Sequence, residues 1–360
     1  TNMKNIKIST KNFNKENPLI IAEIGQAHEG SEGLAHSMID ALCEVECEAI
    51  KFQIHLADAE SSFEDQFRIN FSYEDKSRYD YWKRVEFTKS QWSRIISHCK
   101  QQNIIVGASV FSLEALEIAI KNKVDFLQIG SGDILFDDLV DSVSRSDLPI
   151  IISSGLANWS ELFNISSKFN YHKKKELFSI PHCTTQYPTD PEKIGFNNVK
   201  QIEEKLDVIS GLSDHSGNYL TAFYALAKGC PILEVHVNFD RKMFGPDSTS
   251  SLSINELGEV IKAKNYFKKL NLITDKNREE AFLAPTKKKF ARSIGIKRNI
   301  KKGHILTKED IIFRKPGGYL TKDDLKIVIG MKAKHDLNAL NIIKWDDIED
   351  DKTYEISSRH

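Results

Sequence analysis

Two histidines stand at the ends of short apolar runs in the second half of the chain. His215 closes the run VISGLSDH (208–215), and His236 lies in PILEVHV (231–237). One helix-length segment separates these runs, which is the spacing of neighbouring parallel strands with a crossover helix. Neutral imidazole is a common ligand of divalent metals. The pair therefore indicates a shared metal site, although a single strand-end histidine is more often only a hydrogen-bonded polar group.

Apolar runs of strand length recur through the first 270 residues or so, and segments of helical period separate them. This alternation predicts parallel strands joined by crossover helices. The predicted strands are 19–25, 49–55, 103–110, 126–130, 149–155, 177–183, 208–215 and 232–239. Eight repeats in about 250 residues favour a (β/α)8 TIM barrel, with a doubly wound open sheet as the alternative.

Polar residues mark the carboxyl end of every predicted strand. A strand buried on both faces would otherwise consist of Val, Ile and Leu. The polar residues include Glu23, Gln26, His28, Lys51, Gln53, His55, Ser109, Gln128, Ser131, Asp133, Ser153, Thr185, Ser213, Asp214 and Glu234. Because active sites of such barrels lie at the carboxyl ends of the strands, we predict a single polar site there.

The bulk composition favours a small-molecule partner. The 360 residues are 40% hydrophobic and 28% charged, and 50 Lys and Arg balance 51 Asp and Glu. A net charge of −1 offers no field that would attract nucleic acid or an acidic membrane. No run approaches the roughly 18 apolar residues of a membrane span, and the amino terminus lacks the apolar centre of a signal peptide. We expect a cytoplasmic protein without a nucleic-acid or membrane partner.

The sequence pattern changes after about residue 272. Short predicted strands, glycine-containing turns and one-turn helices replace the barrel rhythm, which is typical of a small β-rich module. The predicted domains are a barrel over 1–272, a linker over 273–285, a β-rich domain over 286–350 and a disordered tail over 351–360.

Several segments together carry a family resemblance. They are IAEIGQAHEG (21–30), IKFQ (50–53), IGSGD (129–133), HCTTQYP (182–188), GLSDHSG (211–217), EVHVNFDR (234–241), GPDSTSSL (245–252), and ARSI with KKGHILTKEDI and KPGG near the carboxyl terminus. Their order and spacing resemble the sialic acid synthase family, which includes N-acetylneuraminate, legionaminate and pseudaminate synthases. The carboxyl-terminal module resembles the SAF, or antifreeze-like, domain of that family.

The resemblance implies a condensation of phosphoenolpyruvate with an N-acetylated hexosamine, either N-acetylmannosamine or a 2,4-diacetamido-trideoxyhexose. Phosphate leaves by C–O cleavage, and the product is a nine-carbon 2-keto acid. The implied cofactor is Mn²⁺ or Mg²⁺, held by His215 and His236. Such a Lewis acid suits the attack of a weak enol carbon on an aldehyde. The family also implies a domain-swapped homodimer, in which the SAF domain of one subunit covers the barrel mouth of the other.

The resemblance divides the other site residues between the two substrates. Those implied for phosphoenolpyruvate are Lys51, Ser109, Gln128, Ser131, Thr185 and Ser213. Those implied for the sugar are Gln53, Tyr187, Glu234, Asp247 and one of Arg314 and Lys315. Glu23 is expected to handle a proton or to position the attacking water, or else only to form an ion pair with Lys51.

The chain departs from the family pattern at both substrates. Gln128 replaces a second phosphate-binding lysine, and the lost charge would weaken anion binding by about 1–3 kcal/mol unless another cation replaces it. On the sugar side, Val235 replaces a lysine of the family, and Ser248 also departs from the family pattern. Lys315 stands where the family has arginine, with Arg314 one residue earlier. The insertion 56–88, rich in Tyr, Trp and acids, is either a substrate-covering loop or a surface excursion.

Two other functions remain open. One is a Schiff-base aldolase of the same fold, with Lys51 as the nucleophile. The other is a diverged or non-catalytic barrel that binds a sugar acid without converting it. Borohydride trapping would support the first, and a lack of phosphate release with every acceptor would favour the second.

Overall fold

The computed structural model describes residues 3–172, 175–270, 272 and 275–350. The chain divides into two compact units, Thr1–Leu270 and Asn271–His360, hereafter unit 1 and unit 2. Within the described ranges, every helix is too short or too polar for a transmembrane span.

Unit 1 alternates strands and helices along the chain. Its strands are β1 (Ile6–Ile8), β2 (Lys11–Phe13), β3 (Leu19–Gly25), β4 (Ala49–Ile54), β5 (Ile105–Val110), β6 (Phe126–Ile129), β7 (Ile150–Ile152), β8 (Phe178–Ser179), β9 (His182–Cys183), β10 (Leu212–Asp214), β11 (Ile232–Asn238) and β12 (Leu252–Ser253). Its helices are α1 (Glu32–Glu44), α2 (Ala57–Glu60), α3 (Arg78–Val85), α4 (Lys89–Gln101), α5 (Leu113–Lys121), α6 (Asp137–Ser144), α7 (Trp159–His172), α8 (Asn197–Leu206), α9 (Tyr219–Ala227) and α10 (Ile254–Leu270).

The strands β3 to β11 form a parallel barrel. Their order is β8-β7-β6-β5-β4-β3-β11-β10-β9. The last of these strands along the chain, β11, therefore pairs with the first, β3. Strands β8 and β9 are the two halves of the sixth predicted strand, and Pro181 lies between them. Proline has no N–H to donate to a ladder, which explains the break. The barrel therefore has eight strand positions. This confirms the predicted (β/α)8 barrel rather than the alternative, an open sheet.

The amino ends of the barrel strands form an apolar floor. The β1–β2 hairpin contributes Ile6, Ile8 and Phe13, all fully buried. They pack with the first residues of strands, including Leu19, Ala49, Ile105, Phe126 and Ile232. Gly107 packs against Phe126 at this end. Only glycine fits there, because a Cβ would lie 2.1 Å from the Phe126 ring. The hairpin therefore closes the barrel floor.

Unit 2 is small and β-rich, as the SAF-type prediction requires. Its elements are α11 (Glu279–Phe290), β13 (Ser293–Ile296), β14 (Ile311–Arg314), α12 (Leu325–Val328), β15 (Lys332–Ala333) and β16 (Ile348–Glu349). Two antiparallel pairs, β13–β14 and β15–β16, enclose an apolar core of its own. Helix α11 occupies part of the predicted linker, whose limits stay a prediction, and the predicted tail 351–360 lies outside the described residues.

Candidate functional site

The carboxyl ends of the barrel strands surround a cavity of about 500 Å³. Parallel strands carry their last side chains to the same end of a barrel, so residues far apart in sequence meet there. The cavity is lined by every predicted site residue of the barrel, namely Glu23, Lys51, Gln53, Ser109, Gln128, Ser131, Thr185, Tyr187, Ser213, His215, Glu234, His236 and Asp247.

A buried lysine between two carboxylates forms the centre of the site. Lys51 Nζ lies 3.2 Å from Glu23 Oε2 and 2.8 Å from Glu234 Oε2. Ser213 Oγ donates to Glu234 Oε1 at 3.0 Å. Burial raises the pKa of Glu23 to about 8, although Lys51 opposes the rise. Burial acts in the same direction on Glu234, but there Lys51 prevails and lowers the pKa. The same lysine and the same burial therefore shift the pKa values of the two carboxyl groups in opposite directions.

Glu23 is held in place by a chain of polar contacts. Gln53 Nε2 donates to Glu23 Oε1 at 2.6 Å. The amide oxygen of Gln53 lies 3.0 Å from His55 Nε2, and His55 Nδ1 hydrogen-bonds with Glu60. The His55 ring stacks on Trp82 with ring centres 3.8 Å apart. Two of these residues come from the insertion 56–88, so the insertion supports the orientation of Glu23.

Uncharged donors and acceptors line another part of the cavity, hereafter the uncharged wall, which comprises Gln128, Ser131, Ser153 and Thr185. Gln128 Nε2 donates to Ser153 Oγ at 2.9 Å and to Glu234 Oε1 at 3.3 Å. Ser131 Oγ and Thr185 Oγ1 lie 3.2 Å apart. Within the described part of the chain, the buried Gln128 Oε1 has no hydrogen-bond partner. Such an atom carries an unmet hydrogen-bonding requirement, which a ligand or water in the cavity would satisfy.

His215 and His236 lie side by side, with ring centres 5.3 Å apart. Both are buried, and burial lowers the pKa of both rings, that of His215 to about 4. His215 Nδ1 lies 2.8 Å from the carbonyl oxygen of Thr184 and donates to it, which leaves Nε2 unprotonated. His236 Nδ1 lies 3.9 Å from Asp247 Oδ2. Both imidazoles are therefore in the neutral form that binds metals.

This donor set fits a divalent ion held by two protein ligands. No group of three or more His, Cys, Asp or Glu residues among the described residues is arranged around one metal position. Two imidazoles would leave most of the coordination sphere open, as a catalytic metal requires. The geometry is thus compatible with the predicted ligand pair, His215 and His236.

An arginine that the sequence patterns did not single out contacts two residues beside this pair. Arg68 Nη2 donates to Asp247 Oδ1 at 2.9 Å, and its guanidinium carbon lies 3.9 Å from the centre of the Tyr187 ring. The Tyr187 ring in turn stacks on His215 at 4.1 Å. Arg68 lies in an insertion without hydrophobic periodicity. Its positive charge, in a segment rich in acidic residues, was the only sequence signal that could have indicated a role.

The insertion 56–88 forms one wall of the cavity, so it is not merely a surface excursion. It contains α2 and α3. Its lining residues are Glu60, Asp65, Phe67, Arg68, Ile69, Phe71, Arg78, Tyr81 and Trp82.

The remaining predicted sugar-side positions lie elsewhere. Val235 belongs to the apolar layer of unit 1 and is not a lining residue of the cavity. Ser248 Oγ accepts from Asn238 Nδ2 at 3.1 Å. Arg314 ends strand β14 of unit 2, and Lys315 Nζ lies 5.0 Å from the centre of the Phe290 ring.

Comparisons with known proteins point in one direction. The NeuB family model matches residues 38–273, and the SAF domain model matches residues 291–349. The chain is 28% identical over 341 residues to pseudaminic acid synthase of Campylobacter jejuni, covering 93% of this chain and 98% of that protein. It is 28% identical over 338 residues to N-acetylneuraminate-9-phosphate synthase of Drosophila melanogaster, covering 86% and 90%. The crystal structure of N-acetylneuraminic acid (sialic acid) synthetase from Leptospira borgpetersenii, in complex with citrate, superposes with a TM-score of 0.68 at 26% identity, covering 79% of this chain and 97% of that one.

Proposed function

Because the chain belongs to the NeuB family, we propose that it condenses phosphoenolpyruvate with the open-chain aldehyde of an N-acetylated hexosamine. The product would be a nine-carbon 2-keto acid, with phosphate as the leaving group. The relatives named pseudaminic acid synthase and N-acetylneuraminate-9-phosphate synthase support this reaction type. The observation that carries the proposal is the placement of Lys51 between Glu23 and Glu234 in the cavity that also holds the two histidines.

Phosphoenolpyruvate would bind against Lys51 and the uncharged wall. Its phosphate and carboxylate need cations and N–H or O–H donors. Lys51 supplies the buried cation. Donors would come from Ser109, Gln128, Ser131, Thr185 and Ser213. Because Gln128 carries no charge, the phosphate would depend on hydroxyl and amide donors more than it would beside a lysine.

The proposed reaction forms one C–C bond and breaks one C–O bond. The methylene carbon of phosphoenolpyruvate attacks the aldehyde carbon, and the aldehyde oxygen takes a proton to become a hydroxyl. Water adds to carbon 2 and gives up a proton, and phosphate departs with the bridging oxygen. Glu23, with its pKa raised by burial to about 8, would donate the first proton or accept the second. Gln53 would keep that carboxyl oriented.

His215 and His236 would hold a divalent ion, Mn²⁺ or Mg²⁺. When bound, such an ion polarises the aldehyde oxygen and stabilises its developing charge. The Thr184 carbonyl fixes the tautomer of His215, so Nε2 carries no proton and would be available to hold the ion. Asp247 and Tyr187 border the same position and would orient the sugar.

A Schiff-base aldolase is the second enzyme reading, and the site electrostatics weigh against it. A Schiff base needs a neutral amine at physiological pH. Although burial opposes it, Glu23 and Glu234 raise the pKa of Lys51, which keeps the amine charged. Borohydride reduction of the protein with pyruvate or product should therefore leave no adduct on Lys51.

The proposal includes a homodimer. Following the family resemblance, unit 2 of each subunit would bring Arg314 or Lys315 to the cavity of the partner. Light scattering of the full chain tests the dimer, and a monomer at micromolar concentration would remove this part of the proposal.

Phosphate release tests the proposed reaction. Purified protein with Mn²⁺, phosphoenolpyruvate and a panel of 2-acetamido and 2,4-diacetamido hexoses should release phosphate only with an acceptor, in equimolar amount with a nine-carbon acid identified by mass spectrometry. EDTA should stop the release, and Mn²⁺ should restore it. If correctly folded protein releases no phosphate with any acceptor, a sugar-acid-binding protein becomes the better description.

A further inference from the structure

Arg68 places a guanidinium in the cavity lining, beside Asp247 and Tyr187. It lies between α2 and α3, and its side chain is 37% exposed. Its only hydrogen bond within the described part of the chain goes to Asp247. A guanidinium has five N–H donors in a planar fork, so most of them remain available to a ligand. Contact with the Tyr187 ring restricts the orientation of the fork.

Neither of the other two cations of the lining contacts Asp247 or Tyr187 within the described residues. Lys51 is paired with Glu23 and Glu234. Arg78 Nη1 lies 3.4 Å from Asp65 Oδ1 and has no contact with the histidine pair among the described residues. Six carboxylates line the cavity against three cations, namely Glu23, Glu60, Asp65, Asp133, Glu234 and Asp247 against Lys51, Arg68 and Arg78. Among the charged groups of the lining, acceptors therefore outnumber cationic donors.

This imbalance assigns different parts of an acceptor sugar to different residues. Hydroxyl groups donate as well as accept, so the carboxylates can bind them. The acylamino carbonyl oxygen only accepts, so it needs an N–H or O–H donor. Arg68 offers several donors on the wall that Asp247 and Tyr187 share with the histidines.

We propose that Arg68 is the residue that selects the acylamino group of the acceptor, by donating to its carbonyl oxygen. This inference rests on the synthase function proposed above. It means that the barrel's own insertion supplies a cation to the sugar site, in addition to whatever Arg314 or Lys315 of a partner provides. Selectivity for acylated sugars then depends on the fork of Arg68, and Asp247 holds that fork in position.

Binding of unreactive acceptor analogues tests the proposal without turnover. N-acetylmannosaminitol and the alditol of 2,4-diacetamido-2,4,6-trideoxymannose have no aldehyde, and mannitol also lacks the acylamino group. Calorimetry in Mn²⁺ buffer should show that Arg68→Ala weakens binding of the preferred acylated alditol about 10- to 100-fold. Mannitol binding should change less than about 3-fold, so the preference for the acyl group is lost. Arg68→Lys should recover part of it.

A matched control separates recognition from packing. Arg94 forms a two-point ion pair with Glu32 on the outside of the barrel, and Arg94→Ala should leave the affinity of every alditol unchanged. Equal weakening of acylated and plain alditols by Arg68→Ala would reveal a merely structural role and overturn the proposal. It would also be overturned if wild-type protein bound neither acylated alditol, or if only Arg314→Ala or Lys315→Ala removed the preference. Phosphate release by wild-type protein is scored separately, so failure of the synthase reaction is recognised independently.

Discussion

The two ends of the barrel are built from opposite kinds of residue. At the floor, Ile6, Ile8 and Phe13 pack on the first residues of the strands, and all three are fully buried. Towards the mouth, later residues of the same strands place Lys51 between Glu23 and Glu234. The comparison shows a division of roles along these strands, because their first residues provide packing and later residues provide chemistry.

The mouth contains buried polar atoms that lack a hydrogen-bond partner in the described part of the chain. Gln128 Oε1 and His28 Nε2 are buried and have no hydrogen-bond partner among the described residues. An unmet buried polar atom costs about 1–3 kcal/mol. Substitutions at the mouth should therefore remove activity with little loss of stability, and substitutions at the floor should do the reverse.

The histidine pair should give the largest effect. His215→Ala or His236→Ala should lower phosphate release by about a thousandfold or more, because the proposed ion, which would polarise the aldehyde, would lose a ligand. Mn²⁺ binding, followed by electron paramagnetic resonance, should weaken in parallel, and the melting temperature should stay within a few degrees. His98→Ala on the outer helix α4 is the control. Substantial activity in either variant would refute the ligand assignment.

The floor should show the opposite result. Phe13→Ala empties a fully buried ring site and should lower the free energy of unfolding by about 3–5 kcal/mol. Activity per folded molecule, measured well below the melting temperature, should change less than twofold. Tyr171→Ala removes an aromatic ring that is 86% exposed and should alter neither quantity. A loss of activity per folded molecule in Phe13→Ala would break the division between floor and mouth.

Much of this division could be read from the sequence. The predicted strand 19–25 coincides with β3, because burial on both faces produces an apolar run that only Glu23 interrupts. Because parallel strands have their carboxyl ends at the same end of a barrel, the convergence of polar residues in one cavity was also predictable. The break between β8 and β9 was missed, although Pro181 was visible, since a single proline does not reveal which ladder hydrogen bond is lost.

The part that could not be read belongs to the insertion. Arg68 contacts Tyr187 and Asp247, which are distant in sequence and approach it only through the path of the folded chain. No hydrophobic period marks a residue in such a segment. Val235 shows the converse. It lies between the site residues Glu234 and His236 in the sequence, whereas strand alternation turns its side chain towards the apolar layer.

His28 should make the mouth sensitive to acid. Burial, with a smaller contribution from His55, lowers the pKa of His28 from 6.5 to about 3, so the unfolded chain binds a proton more readily than the folded protein. The stability that this provides is complete above pH 6.5 and is lost as the pH falls towards 3. At pH 5 the loss is about 2 kcal/mol. Urea unfolding of wild-type protein and His28→Gln should differ by that amount more at pH 7 than at pH 5, and a constant difference would contradict the assignment.

Gln128 should give the smallest effect. Gln128→Lys restores a cation beside Ser153 and should tighten phosphoenolpyruvate binding about tenfold, while Gln128→Met should not. Calorimetry without acceptor measures both. Unchanged affinity in Gln128→Lys would mean that another group already supplies the charge, which would sharpen the description of the uncharged wall.

The fate of the bridging oxygen tests the central claim most directly. Phosphoenolpyruvate labelled with ¹⁸O between carbon 2 and phosphorus is incubated with the protein, Mn²⁺ and the best acceptor, and the released phosphate is analysed by mass spectrometry. Synthase chemistry at Glu23, Lys51 and the histidine pair breaks the C–O bond, so the phosphate should carry the label. Unlabelled phosphate, formed by P–O cleavage, would contradict the proposed reaction.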